Sequence, residues 1–185
     1  MTQRHPSSRR GFLQQSARLV VAGSAVQLAS PVMAALPQAR TLALVHTHTG
    51  ERLSVVYAAG ERFVSQALNN LNHFLRDHYS GEVGLIDPQV FDILHRLRQE
   101  LGADQPFQVI SGYRSAATNS LLRNTRGGGV AKHSLHMDGK AIDVRLPGVS
   151  LTDLRDAALS LRAGGVGFYP REQFVHVDTG RVRAW

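Results

Sequence analysis

The chain has 185 residues, 43% of them hydrophobic and 19% charged, which suits one globular domain and excludes a disordered chain or a multi-span membrane protein. Its net charge of +7 does not point to nucleic acid, because Arg4, Arg9, Arg10 and Arg18 fall in an acid-free first 34 residues and no basic stripe remains beyond them. The absence of cysteine excludes a thiolate nucleophile, a haem-attachment motif, a cysteine-type zinc site and any disulfide.

In chain order, Ser8-Arg9-Arg10-Gly11-Phe12-Leu13-Gln14 comes first, followed by a mildly apolar run from Leu19 to Leu28 and a small-residue exit, Val32-Met33-Ala34-Ala35. Charged, apolar and small-residue regions in that order make a secretory signal, too short and too weakly apolar for a permanent span. The arginine pair before Phe12-Leu13 resembles the twin-arginine export signal. Residues 1–34 are therefore expected to be a cleaved twin-arginine signal, residues 35–60 a linker and hairpin, and residues 61–185 the functional domain.

The runs Thr41–His46 and Arg52–Tyr57, with turn residues Thr47–Gly50 between them, predict a β-hairpin. A helix is predicted from about Ser65 to His78, with Leu68, Leu71, Phe74 and Leu75 on one stripe. Asp87-Pro88 opens a second helix that Gly102 ends. Phe107–Gly112 is a strand, Ser115–Arg123 is helical, and Arg126–Gly129 is a loop because successive glycines weaken any regular element. Ala141–Leu146 is a strand, Ser150–Leu161 a helix, and Gly165–Tyr169 and Phe174–Asp178 two strands around a Pro170 turn. Helices early and strands clustered late predict an α+β fold with a small antiparallel sheet flanked by helices.

Alternation puts Ala141, Asp143 and Arg145 on one face of their strand, and Phe174, His176 and Asp178 on one face of theirs. If the two strands are neighbours, Asp143 and His176 point the same way, and His136 folds over the same spot from before the Gly139 turn. Two imidazoles and a carboxylate form a zinc-compatible trio, and three protein ligands with a fourth position open are the layout of a catalytic zinc. Against this, a lone histidine is more often a surface or core residue. His46, His48, His78, His95 and His133 are read that way, as is the His73/Asp77 pair, taken to be one helical turn apart and solvated.

Ser134, His136, Gly139, Ala141 and Asp143 match every fixed position of the S-x-H-x-x-G-x-A-x-D signature of the LAS-type zinc peptidases, the group that includes the D-Ala-D-Ala metallopeptidases and the hedgehog fold. Ser111-Gly-Tyr-Arg-Ser115 resembles that group's S-G-Y-R-S. Lys132-x-Ser134-x-His136, the run Ala163–Pro170 and Phe174–Gly180 near Trp185 resemble its exported murein endopeptidase K (MepK-like) branch.

The resemblance implies that Zn2+ is held by His136, Asp143 and His176. It implies that Arg114 binds a substrate carboxylate or the oxyanion of the attacked carbonyl, and that Ser134 positions substrate or a loop. Many relatives keep a histidine two residues before the last ligand or a glutamate three before it; this chain has Phe174 and Gln173 there. Asp178 is then the favoured general base, or else the group that orients His176. Glu172 stands four residues before His176, roughly 13 Å away if the strand is extended. The expected activity is hydrolysis of peptide cross-links in peptidoglycan in the periplasm, including diaminopimelate-to-diaminopimelate links. A D,D- or L,D-carboxypeptidase and a non-catalytic wall-binding module are the alternatives.

Overall fold

The computed structural model describes residues 39–125 and 130–185. The expected export signal and the Arg126–Gly129 loop lie outside them.

Eight strands among these residues form one sheet in the order β3-β2-β1-β4-β5-β7-β6-β8. They are β1 (Ala39–His46), β2 (Arg52–Ala59), β3 (Arg62–Phe63), β4 (Phe107–Ser111), β5 (Ala141–Arg145), β6 (Gly165–Tyr169), β7 (Phe174–Asp178) and β8 (Arg183–Ala184). The helices are α1 (Ser65–Phe74), α2 (Pro88–Glu100), α3 (Ala116–Thr125) and α4 (Leu151–Leu161). The α+β class is as expected. The sheet is larger than expected and mixed: β1 runs parallel to β4 and β6 parallel to β8, while the remaining pairs are antiparallel. The β1–β4 pairing also makes the N-terminal hairpin part of the sheet that carries the site.

Local chemistry sets the helix starts. Asp87 accepts from the Gln89 amide at 3.0 Å, with Pro88 opening the first turn of α2. Ser150 accepts from the Asp153 amide at 3.0 Å and caps α4 in the same way. Helix α1 stops at Phe74, short of the expected His78. The Asp77 side chain accepts the amides of Tyr79, Ser80 and Ser115, and this competes with further helical bonding. His73 and Asp77 are therefore not a helical pair: His73 is exposed and Asp77 is buried.

Helices α2 and α4 pack together and against the sheet, and α1 packs on β2. Ile142, Val144, Val166, Val175 and Val177 join Leu94, Phe91 and Leu154 in the core on that side. Alternation then sends Asp143 and His176 to the opposite face of β5 and β7, where they sit directly opposite one another in register. An irregularity between Val109 and Ser111 lets Ser111 pair with Asp143, which starts the following loop beside the same point.

Candidate active site

Three side chains converge there. His136 Nε2 lies 3.2 Å from Asp143 Oδ1 and 3.2 Å from His176 Nδ1, and His176 Nδ1 lies 2.8 Å from Asp143 Oδ1. All three residues are buried. The outer nitrogen of each imidazole has an acceptor: Gly112 O at 2.7 Å from His136 Nδ1, and Asp178 Oδ2 at 3.1 Å from His176 Nε2. With the protons assigned to those outer nitrogens, the inner ones present lone pairs to each other and to a carboxylate oxygen. Such a triangle of acceptors is repulsive unless a proton or a cation sits inside it. Ligand atoms at tetrahedral corners about 2.0–2.1 Å from a zinc ion stand roughly 3.3 Å apart, so the observed spacing fits. Nitrogen, nitrogen and carboxylate oxygen are also the donor types that zinc accepts. These three residues are the one group among those described whose ligand atoms are close enough to hold a metal.

The electrostatics express the same demand for positive charge. Burial alone would raise the Asp143 carboxyl, but the two imidazoles outweigh it and hold it well below the usual carboxylate range. Burial would lower His176, yet its bonds to Asp143 and Asp178 push it up to about 9.

Asp178 does not occupy the place of a proton acceptor at this point. It is fully buried (0% exposed) and bonds the outer nitrogen of His176. Its Oδ1 accepts from the Gly165 and Gly180 amides and Arg183 Nη1, and its Oδ2 also accepts Arg183 Nη2 at 2.7 Å. Both oxygens are thus occupied by donors, none of them on the inner side where the expected general base would meet a water. The sequence places Asp178 on the right strand face, but it does not reveal that Arg183 and two amides fill the carboxylate.

Arg114 and Ser134 both lie at this point. Arg114 Nη2 stands 3.9 Å from Asp143 Oδ2 and 3.4 Å from Ser111 Oγ, and its amide donates to His136 O at 3.1 Å. Ser134 lines the cleft, and its carbonyl accepts from the Met137 amide. Two supporting residues escape sequence reading. Asn119 reaches from α3 to the carbonyls of Ala131 and Lys132 and faces Arg114 Nη1, and Asp77 fixes the Ser115 amide beside it.

The trio opens into a cleft of about 470 Å3. On the β1 side the cleft is bordered by His48, Asp77, His78, Tyr79 and Tyr113, and on the β6 and β8 side by Tyr169, Glu172, Phe174, Arg183 and Trp185. Asp143 and His176 on β5 and β7 come between these two sets in the sheet order, so the cleft extends to both sides of the triangle. The histidines first read as background thus divide. His48, His78 and His133 border the cleft, whereas His46 is buried against His48 and His78. Glu172 borders it as well. The extended path expected between Glu172 and His176 is broken at Gln173, whose φ of 61° turns the chain before β7 begins.

A family model described as Peptidase_M15_2, peptidoglycan L,D-endopeptidase MepK, matches residues 34–185. The peptidoglycan L,D-endopeptidase MepK of Escherichia coli (strain K12) is 47% identical over 168 residues, which cover 90% of this chain and 91% of that protein. The Shigella flexneri protein of the same name is also 47% identical over 168 residues. The probable peptidoglycan L,D-endopeptidase MepK of Haemophilus influenzae is 42% identical over 154 residues, 83% of this chain and 82% of that protein.

Proposed function

Since the chain belongs to the Peptidase_M15_2 family, we propose that it is an exported, zinc-dependent murein endopeptidase that cuts peptide cross-links, those between two diaminopimelate residues included. The observation that carries this reading is the buried triangle of His136, Asp143 and His176 inside a cleft that continues to both sides of it. A carboxypeptidase needs room for one chain end, whereas a cross-link has peptide on both sides of the bond to be cut.

Zinc held by these three residues would polarise the scissile carbonyl and make the attacking water more acidic. The protein supplies the rest. Gly112 O and Asp178 hold the two imidazoles in the tautomers that point lone pairs inward. Arg114, beside Asp143 and open to the cleft, is placed to hold the carbonyl oxygen as it gains charge or a substrate carboxylate. Ser134 positions the loop that delivers His136. The carboxylates bordering the cleft are Asp77, Asp143 and Glu172. The first accepts three amides and the second belongs to the ligand set, which leaves Glu172 as the carboxylate placed to take the proton, with His133 the alternative.

The test is digestion of purified sacculi followed by mass spectrometry of the muropeptides. Conversion of cross-linked dimers into monomers is expected. Release of terminal residues with dimers intact would make the protein a carboxypeptidase, and an unchanged pattern would make it a binding module. Zinc content of His136→Ala, Asp143→Ala and His176→Ala should fall to a small fraction of one ion per chain; full occupancy in any of them removes that residue from the ligand set.

A further inference from the structure

Trp185 is held by backbone, hydroxyl, guanidinium and imidazole partners, and yet half its surface is open. Its amide donates to Val166 O at 3.2 Å and its carbonyl accepts the Phe168 amide at 3.0 Å, so its backbone is fixed along β6. Its indole Nε1 donates to Tyr169 Oη at 2.7 Å. The Arg183 guanidinium lies 4.6 Å from its ring centroid, and the same guanidinium pairs with Asp178. The ring leans over the His176 imidazole at 5.2 Å between centroids. The close approach depends on Gly167, where a Cβ would come within 2.8 Å of both the Trp185 and Tyr169 rings. Tyr169 in turn stacks on Phe174 at 4.6 Å. All three aromatic residues border the cleft, and Trp185 is 49% exposed.

A large apolar ring usually gains stability by burial, and a ring left in water is usually free to move. This one is immobilised without being buried, beside an imidazole that the proposed reaction places against the substrate. We propose that Trp185, with Tyr169 and Phe174, forms a specificity wall that packs against the aliphatic arm of a diamino acid next to the scissile bond. The inference rests on the endopeptidase reading and adds to it the part of the substrate that is read on the β6 and β8 side. The three rings offer mostly carbon to the cleft, so the wall suits a methylene chain. Gly167 and Arg183 are positioning residues for the wall.

Trp185 is the only tryptophan in the chain, so its emission reports directly on what touches it. The zinc-loaded full chain is titrated with a cross-linked peptide made non-cleavable by N-methylation of the scissile amide, and with a second probe whose diamino acid arm is shorter by two methylenes. Calorimetry runs in parallel. A saturable change in Trp185 emission is expected with the long-armed probe, with about tenfold tighter binding than for the short-armed one. In Trp185→Ala the two probes should bind within about twofold of each other at unchanged zinc content. Gly167→Ala, which keeps the ring but displaces it, should lose most of the discrimination too.

Calorimetric binding with no change in emission would overturn the wall, as would undiminished discrimination in Trp185→Ala. A chain that loses zinc on Trp185→Ala but not on Trp185→Phe, with discrimination lost in both, would also overturn it, because a phenyl wall should still sort the probes. The endopeptidase reading fails separately, if wild-type protein leaves dimers in sacculi uncut.

Discussion

The two oxygens of Asp178 receive donors from His176, Arg183, Gly165 and Gly180, and that coordination decides what the residue can do. A carboxylate so occupied fits the proposed role of orienting His176 better than that of collecting a proton from the other side of the ring. Asp178→Asn is expected to weaken zinc binding by about 10–100-fold, measured by competition with a chromogenic chelator. Glu172→Gln should keep zinc and lower turnover on cross-linked muropeptides by at least about a hundredfold. Unchanged zinc affinity in the first variant together with full activity in the second would reverse both assignments. Strand alternation made the shared face of His176 and Asp178 legible. The positive φ at Gln173, which brings Glu172 to the cleft, has no signal in a sequence that reads as a simple approach to a strand.

His46 gives a second prediction at this scale. It is 1% exposed, accepts the His48 amide at Nδ1, and has no partner for Nε2 among the described residues. Burial, then the neighbouring His48, lower its pKa to about 4, and His78 across from it is lowered to about 4 for the same two reasons. The unfolded chain titrates near 6.5 and so takes up protons first on acidification. The share of stability carried by these two imidazoles is therefore complete above about pH 6.5 and is lost as pH falls from there toward 4, whereas His176, raised to about 9, changes its share only above pH 6.5. Urea unfolding of the metal-free protein at pH 6.5, 5.5 and 5 should show this loss, and His46→Phe should flatten part of it. A wild-type curve that is level across that range would contradict the assignment.

Among the elements, those with a strong period were legible: the hairpin strands, α2 with its Asp87-Pro88 start, and the alternating strands β5 and β7. The two-residue strands β3 and β8 carry no period at all, and β8 is what places Trp185. The end of α1 was set by a carboxylate that reaches forward to an amide 38 residues away, a tertiary cause that no local pattern carries. The turn between His136 and Asp143 offers the sharpest test. Gly139 sits at φ +64, and a Cβ there would lie 1.8 Å from Leu85 O. Gly139→Ala must both strain the residue and push away the segment before α2, at a cost of at least about 3 kcal/mol. Gly148, at φ +84 with open space around it, should tolerate alanine for about 1 kcal/mol. Thermal unfolding of the two variants measures the difference, and equal losses would show that the contact with Leu85 is not what demands glycine.

For the whole molecule, the charge asymmetry of the sequence and the sheet architecture answer different questions. The acid-free N-terminal segment with Arg9 and Arg10 carries the proposal that the protein is exported. Replacing both by lysine keeps the charge and is expected to leave precursor in the cytoplasm; normal processing and export of that variant would rule out the twin-arginine route. The sheet concerns what can reach the ligands. Its order puts the triangle well inside the sheet, with the strands bordering the cleft spanning roughly 24 Å from β1 to β8. The parallel pairing of β1 with β4 joins segments far apart in the chain, and that of β6 with β8 rests on a strand of two residues, so neither was visible to local reading.

A cleft that continues to both sides of the triangle has room for peptide before and after the bond to be cut, so no terminus has to be found. In a meshwork, the number of bonds within reach is then set by how many links the mesh contains, not by how many strands happen to stop. Hydrolysis of intact sacculi should begin at its highest rate and slow as links are used up, without the lag that a trimmer shows while it waits for new ends.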